Sequence, residues 1–240
     1  MKKFFFKAVS FDADGTLLGT FADTEKGFEN FFLEAARSRG KTFTISQLSP
    51  ILFRLQNIVR EKRKEGYRPY VSESSTRSYW IWFYTEVFQE MGLLNPDQMA
   101  EEFFERYQTG EFTGLYPDVL PCLEKLKSFS IPMILISNFS PVLRLFLEKF
   151  MLTGFFKETF ISGIEGVEKS DIKLFERGIR ALDLPPSQIL HVGDNYEEDY
   201  LAAQQAGFQA VLLDRENHYP DSDLLKISSL SELNLEQVFK

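Results

Sequence analysis

An α/β fold with a helical insertion is predicted by three features of the sequence. Short apolar runs alternate with amphipathic stretches, as in a parallel sheet covered by helices on both faces. The first of these runs is separated from the second by roughly a hundred residues, a gap far longer than the connection between neighbouring elements of one domain. That intervening segment shows only helical periodicity, so it reads as a helical cap inserted into a three-layer, Rossmann-like core.

The apolar runs lie at residues 8–11, 132–136, 159–162, 189–192 and 210–213, and each is short enough to be a buried strand. Between them the helices have readable ends. Pro117 starts one that carries Leu120, Leu123 and Leu126, and Pro141 starts another with Leu143, Phe146, Leu147 and Phe150 at helical spacing. A third spans residues 197–206 and stops at Gly207. Within the insertion, helices are predicted at about residues 24–39, 50–64, 75–91 and 96–109. Gly40, Gly92 and Gly110 stop three of them. Asn95-Pro96 supplies a cap and a first-turn proline, and Pro50 follows Ser49 at the second helix, with Ser46 as an alternative start. The expected division is a core of residues 1–16 and 114–240 and a cap of residues 17–113, with hinges at Gly19-Thr20 and Thr113-Gly114.

The 240-residue chain carries a formal charge of −8, which argues against a nucleic-acid-binding face or an anionic membrane surface. Its single cysteine, Cys122, excludes an internal disulfide and a thiolate metal cluster. The apolar start at Phe4-Phe5-Phe6 is broken by Lys7, too soon for a signal peptide, and no later stretch has the length of a membrane span. A cytoplasmic protein is expected.

The chemistry gathers where strands end. The first run ends in Asp12-Ala13-Asp14-Gly15-Thr16, with two carboxylates one residue apart that are costly to bury together without a cation. Gly15 allows a sharp turn, which Thr16 is expected to tie by a local hydrogen bond. The second run ends in Ser137-Asn138, and the fourth in Gly193-Asp194-Asn195 with Asp199 beyond. Glu168-Lys169-Ser170-Asp171 places a cation ahead of a helix. Ligands of open parallel sheets bind beyond the carboxyl ends of the strands, so these sites fall where a ligand is expected.

These four motifs, in this order, resemble the haloacid dehalogenase-like hydrolase superfamily over nearly the whole chain. Ser78-Tyr79-Trp80, Ile136-Ser137-Asn138-Phe139 and His191-Val192-Gly193-Asp194-Asn195-Tyr196 are most like the branch with a helical cap after the first motif. The resemblance implies strand order 5-4-1-2-3, with Asp12 and Asp194 on adjacent strand ends. It implies a phosphatase in which Asp12 attacks phosphorus and forms an aspartyl-phosphate. Asp14 would protonate the leaving oxygen and then activate water. Mg²⁺ would be held by the Asp12 carboxylate, the Asp14 carbonyl and Asp194, and Ser137 would hydrogen-bond the phosphoryl group. Lys169 would offset charge, while Asp199, with Thr16, would act from behind these groups. Asn138 is expected either to close the loop after the second strand or, by its position beside Ser137, to contact phosphate or substrate. The substrate expected is a small phosphorylated metabolite.

The third motif departs from the family's Lys-Pro-Asp-Pro. Without the two prolines its loop is expected to be less rigid, and Lys173 becomes a rival to Lys169. Asp14 decides between reactions: dehalogenases of the superfamily lack an acid there, because halide leaves without a proton. A 2-haloacid dehalogenase, a sugar-phosphate mutase and a non-catalytic binding domain stand as the alternatives. Elsewhere the bland reading is preferred: His191 as a satisfied core histidine, His218 as solvated, Cys122 as packing. The basic stretch Arg60–Arg68 reads as a solvated helix end, and the aromatic run Tyr79–Tyr84 as too continuous for one helix face, so part of it should pack on the core or line a cleft.

Overall fold

The computed structural model describes residues 6–19, 28–220 and 224–233. The chain divides into two compact units, Met1–Gly19 with Leu115–Lys240, and Thr20–Gly114. The first is built on a parallel sheet of β1 (Ala8–Phe11), β2 (Met133–Ser137), β3 (Glu158–Ile161), β4 (Ile189–Gly193), β5 (Gln209–Leu213) and β6 (Lys226–Ile227). The spatial order is β3-β2-β1-β4-β5-β6. From β1 the chain builds outward through β2 and β3, then returns to the other side for β4, β5 and β6. The sheet therefore switches direction between β1 and β4, which pair directly, with Phe11 beside Val192. β1, β2 and β4 are buried along their whole length, which is why they read as continuous apolar runs. Strand β6, two residues at the edge beside β5, was not foreseen: Lys226-Ile227 is too short to show a period.

The second unit holds four helices: α1 (Phe28–Arg37), α2 (Ile45–Lys64), α3 (Glu73–Glu90) and α4 (Pro96–Gln108). The start predicted for the first helix, and Thr20 of the first hinge, lie outside the described residues. Helix α2 begins five residues before Pro50, because Thr44 and Gln47 form a capping box in which the Thr44 backbone N–H donates to Gln47 Oε1 at 2.9 Å. Pro50 is thus accommodated inside the helix. The aromatic run falls on α3, where Tyr79, Phe83 and Tyr84 are buried in this unit's own hydrophobic cluster and Trp80, Ile81 and Trp82 pack against it. Tyr84 meets Phe103 of α4 edge-on at 4.2 Å, and Trp80 stacks on Tyr84. A helix apolar on nearly all sides is a helix buried among others. Part of the run is thus taken up by packing within the unit. The basic stretch behaves as a helix end: Arg68 donates to the carbonyls of Arg63 and Tyr67 just past α2, and Lys62 lies over the Trp82 ring at 4.6 Å.

In the first unit, α5 (Val119–Ser128), α6 (Leu143–Lys149), α7 (Ser162–Glu165) and α8 (Lys173–Leu182) connect the strands. The helix predicted at residues 197–206 is wound differently from expectation. Tyr196–Leu201 is a π-helical turn that only then tightens into α9 (Ala202–Gln205). The wider turn accompanies an inward-facing Asp199, buried among polar partners described below. Among the described residues no helix is long and apolar enough to cross a membrane.

Candidate active site

Strand β1 delivers Asp12 at its carboxyl end, where the Asp12 N–H donates to the Val192 carbonyl at 2.9 Å and continues the ladder with β4. The turn that follows is tied by its backbone. Leu17 and Leu18 N–H both donate to the Ala13 carbonyl, and Gly15 N–H to the Leu18 carbonyl, each at 2.8 Å. The Thr16 hydroxyl, expected to tie this turn, is buried and makes no hydrogen bond. Thr16 contributes its carbonyl instead, which accepts from Arg215 Nη2 at 2.9 Å. Gly15 has φ +72°, and a Cβ there would lie 2.3 Å from Asp194 Oδ2, so glycine alone lets the two strand ends come together.

Lys169 is the hub. Its Nζ lies 2.5 Å from Asp12 Oδ1 and 2.5 Å from Asp199 Oδ1, and all three residues are 5% exposed or less. Lys173 is exposed and pairs with Asp171, so it is no rival for this place. The lysine loop needs no proline. Lys169 N–H donates to Asn138 Oδ1 at 2.8 Å, and Asp171 N–H donates to the Glu168 carbonyl at 2.8 Å. The other end of the Asn138 amide donates to Glu198 Oε2 at 2.8 Å. Both ends of this side chain engage protein, so Asn138 holds the lysine loop in place.

Behind Asp199 the network continues into the sheet. His191 Nε2 lies 3.1 Å from Asp199 Oδ1, and its Nδ1 lies 2.9 Å from Ser10 Oγ. Ser10 and His191 are matched across the β1–β4 ladder, so two polar residues inside apolar strands satisfy each other. An ionised carboxylate only accepts; therefore Nε2 carries the proton, and Nδ1 accepts from the Ser10 hydroxyl. The Asn195 N–H donates to Asp199 Oδ2 at 2.9 Å. A Cβ on Gly193 would lie 2.2 Å from the Asp199 carboxyl carbon, so this approach too depends on glycine.

The charges follow from burial and from this pairing. Burial pushes the Asp12 carboxyl up to about 7, against the pull of the Lys169 charge. Burial would also raise Asp199, but Lys169 and His191 outweigh it and hold it below the usual carboxylate range. Lys169 loses hydration yet is held protonated by the charges of Asp12 and Asp199. Burial lowers His191, which stays neutral. Asp14 is open to solvent at its edge, but surrounding protein raises it to about 6, partly offset by the Gly15 N–H and Lys169. Asp194, also open at its edge, is raised well above the ordinary range by burial and by the charges of Asp199, Asp12 and Asp14.

The donor set suits a hard divalent cation. Carboxylate oxygens of Asp12, Asp194 and Asp199 lie within 4.8 Å of one another. Both oxygens of Asp199 are already taken by Lys169, His191 and Asn195, which leaves Asp12 and Asp194 as the carboxylates able to bind one. Ser137 Oγ, at the carboxyl end of β2, is buried without a partner and free to donate to a ligand. A cavity of about 220 Å³ borders Gly15 and Asp194, with Tyr116, Arg215 and His218 in its wall. The sequence expectations passed over Ser10 and Arg215, while His191 is the satisfied core histidine expected of it. The alternation along β1, which puts Ser10 on the same face as Asp12, was the one signal that pointed to Ser10.

The sequence profile of the haloacid dehalogenase-like hydrolases matches residues 6–207. Haloacid dehalogenase-like hydrolase domain-containing protein 3 of Xenopus laevis is 27% identical over 142 residues, 58% of each chain. The chain thus spans less than two thirds of that relative's length. Glyceraldehyde 3-phosphate phosphatase of Methanothermobacter thermautotrophicus is 28% identical, covering 88% of this chain and 86% of its own. Among solved structures, the 2-haloacid dehalogenase from Pseudomonas syringae pv. Tomato DC3000 is similar in fold, with a TM-score of 0.59 at 23% identity, over 95% of this chain and 96% of its own.

Proposed function

Because the chain belongs to the haloacid dehalogenase-like hydrolases, we propose that it is a Mg²⁺-dependent phosphatase acting on a small phosphomonoester through an aspartyl-phosphate on Asp12. The observation that carries this reading is Asp14, a second carboxyl two residues from the Lys169-paired Asp12, whose pKa of about 6 keeps a proton within reach near neutral pH. Halide departure needs no such acid; departure of an alkoxide from phosphorus does.

Asp12 attacks phosphorus in line, so that an Oδ–P bond forms as the ester P–O bond breaks. Asp14 gives its proton to the departing oxygen, and the resulting carboxylate later takes a proton from the water that hydrolyses the acyl phosphate. Lys169 pulls the Asp12 pKa down against burial and so favours its ionised form, lies beside the incoming phosphoryl charge, and is itself held by Asp199 and Asn138. Ser137 Oγ donates to a phosphoryl oxygen, a partner its buried hydroxyl otherwise lacks. Asp12, Asp194 and the Asp14 carbonyl would hold the cation, which when bound offsets the charge of the carboxylates and of the phosphoryl group. Residues 20–114, which hold α1–α4, serve as a cap that excludes water during the reaction.

The test is a screen of phosphorylated metabolites, triose phosphates included, with Mg²⁺. Release of inorganic phosphate by the wild type, abolished in Asp12→Asn, is expected. Halide release from a 2-haloacid without Mg²⁺, together with no phosphate release from any ester, would overturn the reading.

A further inference from the structure

Outside the four motifs, one half-buried charged cluster reaches the turn that carries Asp14. Arg215, just past β5, places Nη1 2.9 Å from Asp118 Oδ2 and Nη2 3.0 Å from Asp118 Oδ1, a two-pronged pair. The same Nη2 donates to the Thr16 carbonyl at 2.9 Å, and the guanidinium lies over the Tyr116 ring at 3.9 Å. Asp118 is anchored in turn, accepting from Ser229 Oγ at 2.7 Å and from Leu230 N–H at 2.8 Å. Tyr116 N–H donates to the Leu17 carbonyl at 3.2 Å. Three chain segments, counting that of Arg215 itself, therefore meet at one guanidinium, and a fourth is tied to it through Asp118.

The position of this grip matters. Thr16 lies two residues after Asp14, and its turn is closed only by backbone bonds, since the Thr16 hydroxyl takes no part. Arg215 supplies the side-chain bond that the turn does not make for itself. We propose that Arg215 is a positioning residue for Asp14: by holding the Thr16 carbonyl against Asp118, it sets the angle from which Asp14 delivers its proton. The inference rests on the phosphatase reading. In the step concerned, the Asp12 oxygen–phosphorus bond forms and the ester bond breaks, while the proton passes from the Asp14 carboxyl to the departing oxygen. A misplaced acid penalises poor leaving groups, which need that proton, more than good ones. Lysine cannot substitute for arginine here, because one ammonium does not span both Asp118 oxygens and the Thr16 carbonyl with a planar fork.

The experiment compares kcat/KM for phenyl phosphate and 4-nitrophenyl phosphate, esters of similar shape with a poor and a good leaving group, using the full chain with Mg²⁺. Arg215→Lys is expected to lose about tenfold on phenyl phosphate and less than about threefold on 4-nitrophenyl phosphate. In an Asp14→Asn background the same substitution should leave the ratio of the two unchanged. Asp118→Asn, which loosens the clamp from its other side, should reproduce the selective loss and serves if Arg215→Lys does not fold. Equal losses on both esters, or a change of ratio that survives in Asp14→Asn, would make Arg215 a structural staple and overturn the proposal. If the wild type releases phosphate from neither ester and from no phosphorylated metabolite of the screen, the phosphatase reading falls and takes this inference with it; an active wild type with proportionate losses sinks only the positioning role.

Discussion

Two regions, one in each unit, are ordered by opposite means. Around Lys169, a few buried polar groups from β1, β4 and their loops form a chain of contacts running Ser10, His191, Asp199, Lys169, Asp12. Around Phe103, rings from α1, α3 and α4 crowd together, with Phe31 at 4.0 Å and Tyr84 at 4.2 Å. In the first region each group has one to three directional partners that nothing else can replace, and losing one leaves a buried charge or an unpaired donor. In the second, contacts are many, weak and non-directional, so neighbours relax to share a loss. A polar network concentrates consequence in single atoms, whereas an apolar cluster spreads it.

The largest effect expected from this difference is at the hub. Lys169→Met leaves Asp12 and Asp199 buried without their cation, and should lower kcat by about a thousandfold or more while destabilising the fold by roughly 3–5 kcal/mol. Steady-state kinetics and urea unfolding would show both. A variant that keeps its activity would break the contrast outright.

Phe103→Ala should cost about 3–5 kcal/mol through the cavity it leaves, with no change in the pH dependence of turnover by the folded fraction. A shifted pH profile would show that the aromatic cluster reaches the chemistry.

Asp14→Asn sharpens the comparison through linkage. The carboxyl pKa is raised on folding from 3.8 to about 6, so the folded state holds the proton more tightly and stability falls as pH rises through that window. Without divalent cations, Asp14→Asn should be more stable than the wild type at pH 7, and the gap should close as pH falls below about 6 towards 4. Thermal unfolding at several pH values reads this directly. A gap independent of pH would remove the raised pKa.

The smallest effect is at the end of the chain of polar contacts. Ser10→Ala removes only the donor to His191 Nδ1 and should cost about 1 kcal/mol in stability, with a modest drop in kcat. A loss as large as that of Lys169→Met would mean that the network transmits its order from the sheet outwards.

Much of this was legible along the chain because the relevant physics is local. Continuous apolar runs in β1, β2 and β4 announce strands buried on both faces, and Asn95-Pro96 announces the start of α4. Asp12, Lys169, Asp194 and Asp199 stand out because acidic and basic residues at strand ends have few structural excuses. Where local signals competed, the reading slipped. Pro50 hid the earlier start of α2, since the Thr44–Gln47 capping box outweighed a proline near the helix start. The continuous aromatic run on α3 did not show its internal packing, because a helix with neighbours on several sides has no single apolar face to read.

The sequence by itself thus determined the alternation of strands and helices, the helical insertion, and the residue types gathered at the strand ends, all of which follow from periodicity and from the cost of burying charge. Only the tertiary structure decided which groups bind which. It chose Lys169 over Lys173, turned Asn138 towards the lysine loop, tied Ser10 and His191 to Asp199, and gave the Asp12–Leu18 turn its hold on Arg215 in place of the Thr16 hydroxyl. Those choices join residues up to 199 positions apart. Hydrogen bonds act over about 3 Å of space, and strand order, not distance along the chain, sets which donors come within that reach.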